Sequence, residues 1–130
     1  MIEEYVPWAP ETLGLSFSIS AGRITIFKTT IMVLGNPEFY RFLINEENRM
    51  FAVQRCDIDT EGALHLPEDR SCLHYDIKSM DLVRHIYRLC GWNLKRTYRI
   101  AGESVPGERL VNFDLAKALE VHEGRLKGQT

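Results

Sequence analysis

The chain has 130 residues, 45% of them hydrophobic and 26% charged, with a formal net charge of −2 at pH 7. This length suits one domain with its own core, and the composition is that of an ordinary soluble globular protein. The near-neutral charge argues against strong non-specific binding of nucleic acid by the chain as a whole.

The first residues, MIEEYVPWAPE, are acidic and carry no apolar run, so we expect neither a secretory signal nor a transmembrane start. No later stretch reaches about 18 apolar residues, and no membrane association is predicted. The three cysteines, Cys56, Cys72 and Cys90, cannot all pair within one chain. We therefore expect reduced thiols and a cytoplasmic location.

Turn formers and alternating residues divide the N-terminal third into an arm, two strands and a helix. Residues 1–15 hold prolines and a glycine in polar company and are predicted to form an N-terminal arm. The alternation in LSFSISAGRITI predicts two short strands about a turn at 21–22. From Phe27 to Leu34 the apolar residues follow helical spacing, which predicts two turns of helix ending at Gly35.

A hairpin and an irregular excursion are predicted for the middle of the chain. FYRFLIN and RMFAVQR form the hairpin about a polar turn at 46–48, and Phe42 and Phe51 are expected on its buried face. Residues 56–77 contain two turn signals with only short alternating pieces between them. We therefore predict an irregular hairpin or excursion for that stretch.

The C-terminal half is predicted to contain a helix, a second hairpin and a short final helix. SMDLVRHIYRLCGW has an apolar stripe at helical spacing, with Ser79 as its N-cap and Gly91 as its end. KRTYRIAG and RLVNFDL are predicted to pair across a loop at 103–108. Asp114 is expected to cap a short helix, LAKALEV, before a polar tail at 122–130.

These elements predict the α+β class for a single domain over residues 16–121. We expect a small, mixed, hairpin-rich sheet or partial barrel. Two or three short helices accompany that sheet.

The segment GRITIFKTTIMVLGNPEFYRFLINEENRMFAVQ, residues 22–54, resembles the AbrB-type swapped-hairpin regulators of bacteria. The likeness consists of a strand, a helix ending in Leu-Gly, a second strand, an acidic turn and a third strand. The best-matched residues are Gly22, Arg23, Ile24, Ile26, Leu34 and Gly35. In that family two chains interleave their hairpins into one barrel, and the dimer grips DNA with arginines. The resemblance implies a swapped-hairpin-like homodimer in which Arg23, Lys28 and Arg41 contact nucleic acid.

Three departures from that family's pattern fall in the same segment. Phe27 stands where the family usually has proline, and KTTIMVLG has Lys28 as its one charge where the family has an arginine-bearing helix. NPEFY replaces the family's Gly-Asp before the second strand. The alternative for Arg23 and Arg41 is that they are ordinary solvated arginines on a half-buried hairpin.

Residues 78–99 carry a local excess of positive charge, with six basic residues against Asp81 alone. The basic residues are Lys78, Arg84, Arg88, Lys95, Arg96 and Arg99. Arg84 and Arg88 are four residues apart and share a helix face. Tyr87, Trp92 and Tyr98 are interleaved with these charges, a combination that can engage phosphates and stacked bases. Alternatively, the arginines pair with the acidic stretch 57–76.

Metal and catalytic patterns are weak. Cys56, His65, Cys72 and His74 are two thiols and two imidazoles within 19 residues, which can in principle bind zinc, but their spacing matches no familiar site. GESVPG differs from a nucleophile elbow in the place of its second glycine, and we interpret it as a turn. We expect no enzymatic activity, no metal, no cofactor and no small-molecule substrate.

The hairpin at 39–53 carries apolar residues on both faces, whereas a hairpin with one face in water normally alternates cleanly. The second face must be covered by the helix at 79–91 or by another copy of the chain. We expect a homodimer that buries Phe42 or Phe51 and contacts Trp8. The predicted function is a non-enzymatic binding module, an AbrB-like nucleic-acid-binding transcriptional regulator. The alternative is a protein-interaction or assembly module that uses its hairpins only to dimerise.

Overall fold

The computed structural model describes residues 13–69, 71–122 and 125–126 of the chain. Over these residues it contains two α-helices and ten strands. The helices are α1 (Lys28–Val33) and α2 (Met80–Cys90). The strands are β1 (Gly14–Ser18), β2 (Arg23–Phe27), β3 (Phe39–Asn45), β4 (Met50–Cys56), β5 (Leu64–His65), β6 (His74–Lys78), β7 (Thr97–Val105), β8 (Leu110–Asp114), β9 (Leu119–His122) and β10 (Arg125–Leu126).

The strands form one antiparallel sheet in the order β5-β3-β4-β8-β7-β1-β2-β6, with β9 and β10 continuing beside β7. The long strand β7 joins two halves of this sheet, because residues 97–101 pair with β1 whereas residues 102–105 pair with β8. The sheet curls into a half-barrel accompanied by the two helices. The predicted α+β class is confirmed at this level.

Two phenylalanine rings show how far the sheet curls. Phe17 on β1 and Phe51 on β4 are three strands apart, which is about 14 Å in a flat sheet. Their ring centroids are nevertheless 5.4 Å apart, and both side chains are buried. The concave face of the sheet therefore closes around a single core.

Helix α2 packs across one end of the half-barrel, called the α2 end below. Its residues Val83, Ile86 and Tyr87 are buried, as the predicted apolar stripe requires. Gly91 has a φ of 65°, the left-handed conformation that commonly ends a helix. Ser79 lies at the predicted N-cap, but its side chain makes no capping hydrogen bond, and its N–H donates to the Gly22 carbonyl at 2.8 Å.

Helix α1 lies at the opposite end, the α1 end, where it follows β2 directly. It forms where the sequence predicts two helical turns, and Ile31 on its apolar side is buried. The chain leaves this helix through Gly35, whose φ of 84° suits a residue without a side chain. The predicted helix and its end are confirmed.

The first predicted hairpin is confirmed as β3 and β4, joined by residues 46–49. Phe42 faces Val53 across this hairpin, and Ile44 faces Phe51, so these four side chains share one face. The second hairpin, β7 and β8, is also present, but its loop is shorter than predicted. β7 runs to Val105, so residues 103–105 belong to the ladder.

The predicted C-terminal helix LAKALEV is wrong. Asp114 does act as a cap, because its carboxylate accepts the Ala116 N–H at 3.0 Å, but it starts only a short 3-10 turn. From Leu119 the chain becomes β9 and pairs with the free edge of β7. The open edge supplies backbone partners that outweigh the helical preference of the residues. The stretch predicted as a polar tail begins inside the β9–β10 hairpin.

The predicted excursion at 56–77 supplies both edges of the main sheet. β5 pairs with β3 at one edge, and β6 pairs with β2 at the other. Leu66, between these strands, is fully buried in the core. Of the predicted N-terminal arm, residues 1–12 lie outside the described part of the chain, and β1 already begins at Gly14.

Candidate nucleic-acid interface

Arg84 and Arg88 lie on the exposed side of α2, as their spacing predicts. Among the described residues, no carboxylate lies within ion-pair distance of either guanidinium. On the same helix, the His85 Nε2 atom lies 3.2 Å from a Glu46 carboxylate oxygen. The predicted alternative, that these arginines pair with the acidic stretch 57–76, is not observed in the described part of the chain.

Lys78 and Lys95 flank α2 and are exposed as well. Lys78 ends β6 just before the helix, and Lys95 stands in the turn after it, where its N–H donates to the Asn93 side chain at 2.8 Å. We call Lys78, Arg84, Arg88 and Lys95 the basic surface. In the described residues none of the four has an ion-pair partner, so all four charges face solvent.

Arg23 adds a fifth cation beside Lys78. The two residues are directly opposite each other on β2 and β6, an arrangement in which like charges destabilise a sheet. The Nε atom of Arg23 is buried and has no hydrogen-bond acceptor among the residues described. A bound anion would screen the repulsion between the two positive charges.

Arg96 and Arg99 are already engaged with the protein. Arg96 is half-buried, its Nε lies 3.8 Å from a Glu120 carboxylate oxygen, and its carbonyl accepts the Tyr87 hydroxyl. Arg99 lies on the outer face of β7 with its guanidinium 4.6 Å from the centre of the Phe27 ring. The latter contact is a cation–π pair, and it leaves the Arg99 charge partly exposed to solvent.

The structure does not bring together the arginines that the AbrB resemblance singles out. Arg23 lies on β2 and Arg41 on β3, with four strands between them in the sheet. Arg41 is held on the sheet by hydrogen bonds to the Gln54 side chain at 2.9 Å and the Glu61 carbonyl at 3.4 Å. Lys28 begins α1, at the opposite end from the basic surface.

Of the three aromatic residues predicted to stack on bases, Tyr87 and Tyr98 are buried in the structure and Trp92 is half-buried. Trp92 stacks on Tyr98 with centroids 4.3 Å apart, and Tyr87 meets both rings edge-on. Tyr87 is 1% exposed and Tyr98 is 7% exposed. Burial raises the pKa of Tyr87 to about 12. The three rings pack against one another where α2 meets the sheet, and Tyr87 and Tyr98 are too deeply buried to stack on a base.

Of the residues predicted for a dimer interface, Phe42 and Phe51 lie on the inner face of the β3–β4 hairpin. Phe51 is 1% exposed and belongs to the core of a single chain, so it is not available to a partner without removing the hairpin from the fold. Phe42 is half-buried and contacts Tyr40 and Phe51. Trp8 lies outside the described residues. The inner face of the hairpin is thus covered by the same chain, while Leu43 on the outer face stays half-buried.

The thiols and imidazoles of the predicted zinc alternative are spread over three strands and a loop. Cys56 and His65 stand on either side of Phe39 in the sheet. Cys72 lies in the loop before β6, where its thiol donates a hydrogen bond to the Asp69 carbonyl, and His74 lies on the edge strand β6. Within the described ranges no three His, Cys, Asp or Glu side chains are grouped as metal ligands. All three cysteines are free thiols.

The sequence analysis did not identify a second pair of arginines, which share a site in the structure. Arg55 and Arg109 line one cleft at the α1 end. They are 54 positions apart in the sequence and meet because β4 pairs with β8, so that the Arg55 N–H donates to the Arg109 carbonyl at 2.9 Å. No local motif connects them, and only the strand pairing could have pointed to this site.

No known family, characterised protein or solved structure gives a significant match to this chain. No helix in the described ranges has the length and apolarity needed to span a bilayer.

Proposed function

We propose that this chain is a non-enzymatic nucleic-acid-binding module that contacts phosphates through the basic surface. The observation that carries the proposal is the pair Arg84 and Arg88, both exposed on α2 and both without a carboxylate partner among the described residues. Surface arginines in globular proteins commonly have acidic neighbours on the same helix, but α2 has Asp81 as its one acid. Unpaired guanidiniums on a rigid helix are suited to phosphate oxygens.

Arg23 and Lys78 extend this proposal onto the sheet. They place two positive charges side by side at the point where β6 passes into α2, and the buried Arg23 Nε has an unused donor. Since the aromatic rings nearby are internal, the contacts are with the backbone rather than with bases. We therefore propose binding with little sequence preference by these residues alone.

The resemblance to AbrB-type regulators supports a fuller version of the proposal. In that version the ligand is duplex DNA, the protein acts as a homodimer, and the role is regulatory in a bacterial cytoplasm. The outer face of β3 and β4 supports the homodimer, because Phe39, Leu43 and Met50 point outward there and are only half-buried. If the chain dimerises but binds no nucleic acid, the alternative predicted from the sequence applies, namely a protein-interaction or assembly module.

The experiment is a double charge reversal, Arg84→Glu with Arg88→Glu. Fluorescence anisotropy of a labelled duplex and of a labelled single strand reports binding, and circular dichroism reports the fold. We expect binding to fall by more than tenfold with unchanged folding, because both side chains lie off the buried face of α2 and each phosphate contact contributes one released counterion.

The matched control is Arg55→Glu with Arg109→Glu, which changes the net charge equally at the α1 end. This control is expected to retain most of the wild-type affinity. Equal losses in both double variants would show that net charge, and not the basic surface, governs binding. Loss of the fold in the α2 variant would show that these arginines are structural.

A further inference from the structure

The cleft at the α1 end has the properties of a small ligand site. Its volume is about 440 Å³, within the range of roughly 300–1,000 Å³ typical of small-molecule pockets. Its apolar walls are formed by Leu34 at the end of α1, Pro106 in the loop between β7 and β8, and Leu110 at the start of β8. Arg55 and Arg109 give it two positive charges, and of the described residues that line it none is acidic.

Arg55 is held in position by the end of α1. Its Nη1 donates to the Leu34 carbonyl at 3.2 Å. The same nitrogen passes so close to Gly35 that a Cβ there would lie 2.6 Å from it. The absence of a side chain at position 35 therefore serves the guanidinium as well as the helix end. Nη1 is used in this way, and the other N–H donors of the guanidinium have no hydrogen-bond partner in the part of the chain that the structure describes.

Arg109 is held by an unusual backbone. Its φ of 55° places an arginine in the left-handed region, which is uncommon for a residue with a Cβ and costs roughly 1 kcal/mol or more. Two hydrogen bonds maintain this conformation, from its N–H to the Pro106 carbonyl at 3.1 Å and from the Arg55 N–H to its own carbonyl. Glycine or asparagine would satisfy the turn with less strain. Strain of this kind is typically found where a side chain has a function.

From this arrangement we infer that the cleft binds a small organic oxyanion, a phosphate monoester or a carboxylate carried on a compact apolar group. Two guanidiniums without carboxylate partners in the described lining suit the oxyanion, since paired N–H donors match its oxygens. The hydroxyl of Ser104 offers a further polar contact. Leu34, Pro106 and Leu110 suit the apolar group.

This site is separate from the basic surface and does not depend on the proposed function. Arg49 lies in the turn just before β4 and contacts α2 through a hydrogen bond to the Leu89 carbonyl, and Arg55 follows six residues later near the end of β4. Six residues of strand span about 20 Å. Binding in the cleft and binding of nucleic acid can therefore be lost independently of each other.

The test is titration of the full chain with each of four compounds: phenyl phosphate, benzoate, inorganic phosphate and phenol. Nuclear magnetic resonance chemical shifts and isothermal titration calorimetry measure the binding. We expect saturable binding of phenyl phosphate or benzoate, weaker binding of inorganic phosphate and none of phenol. Which of the first two binds more tightly identifies the oxyanion. Absence of saturable binding of both phenyl phosphate and benzoate up to roughly 10 mM would overturn the inference.

The decisive variant is Arg109→Asn, because asparagine accepts the left-handed conformation and removes only the guanidinium. Affinity is expected to fall about tenfold or more, the effect of one charge-assisted hydrogen bond, with folding stability unchanged or raised. The matched control is Arg49→Asn, which makes the same replacement at a φ of 51° at the α2 end. Undiminished binding by Arg109→Asn, or an equal loss in Arg49→Asn, would contradict a site in this cleft.

Discussion

A single hydroxyl group, that of Tyr87, connects α2 to two parts of the sheet. It lies 3.0 Å from the Phe17 carbonyl and 2.6 Å from the Arg96 carbonyl, and it accepts the Ile19 N–H at 3.4 Å. Its partners are backbone atoms, and they would lose these hydrogen bonds if the hydroxyl were removed. The position of α2, and with it that of Arg84 and Arg88, depends on this residue.

The variant Tyr87→Phe tests that dependence. We expect it to lower the free energy of unfolding by about 1–3 kcal/mol, because buried carbonyls lose their donor. Urea denaturation measures the change. Tyr40→Phe is the matched control, since Tyr40 is about as deeply buried, at 2% exposure, and its hydroxyl makes no hydrogen bond to the residues that the structure describes. A cost in Tyr40→Phe as large as that in Tyr87→Phe would contradict this role of the Tyr87 hydroxyl.

Burial of these two phenols also predicts a loss of stability at high pH. Burial raises the pKa of Tyr40 and of Tyr87 to about 12, above the ordinary value near 10. The folded state therefore keeps both protons more tightly than the unfolded state. The resulting stabilisation is complete below about pH 10 and disappears as the pH rises from 10 to 12. Thermal unfolding across that interval should show a steeper fall for the wild type than for a Tyr40→Phe/Tyr87→Phe variant, and parallel curves would contradict the assignment.

At the scale of elements, the β3–β4 hairpin has one face in the core and one face outside. Phe42 and Leu43 are neighbours in sequence, and their side chains point to opposite faces of the sheet. Substitutions at these two positions therefore test folding and dimerisation separately. We expect Phe42→Asp to destabilise the single chain, because the charge would enter the core beside Phe51. Leu43→Asp should leave the fold intact and convert a dimer into monomers.

Light scattering at tens of micromolar measures that conversion, with thermal unfolding as the control for folding. A monomeric wild type would contradict the proposed homodimer. A Leu43→Asp variant that remains dimeric would show that the outer face of β3 and β4 is not the interface.

Local patterns were sufficient to predict several of these elements. The hairpin at 46–49, the apolar side of α2 and the end at Gly91 follow from residues within a few positions of each other. β9 could not be predicted in this way, because its partner is the edge of β7, about twenty residues earlier in the chain. LAKALEV has helical preferences, and the open edge overrides them.

The same distinction between local patterns and long-range contacts applies to the candidate sites. Arg84 and Arg88 were predicted correctly as exposed, since helical spacing alone decides which side they occupy. The burial of Tyr98 was not predicted, because it depends on how α2 meets the sheet and not on the neighbours of Tyr98 in the sequence. Arg55 and Arg109 meet only through the pairing of β4 with β8.

At the scale of the whole molecule, positive charge is concentrated at the two ends of the half-barrel. At the α2 end, Lys78, Arg84, Arg88 and Lys95 face solvent as a broad, open surface. At the α1 end, Arg55 and Arg109 line a narrower, half-open cleft. An open surface suits a long polyanion and a cleft suits a small one, so a single near-neutral chain can accommodate both.

The salt dependence of duplex binding tests the central claim most directly. If the four residues of the basic surface each contact one phosphate, the logarithm of the binding constant should fall with the logarithm of salt concentration at a slope of about −3.6. In the Arg84→Glu/Arg88→Glu variant the slope should become shallower by about 1.8 units, while Arg55→Glu/Arg109→Glu should leave it near the wild-type value. A wild-type slope close to zero, or the same slope in the wild type and the α2 variant, would contradict a nucleic-acid interface on this surface.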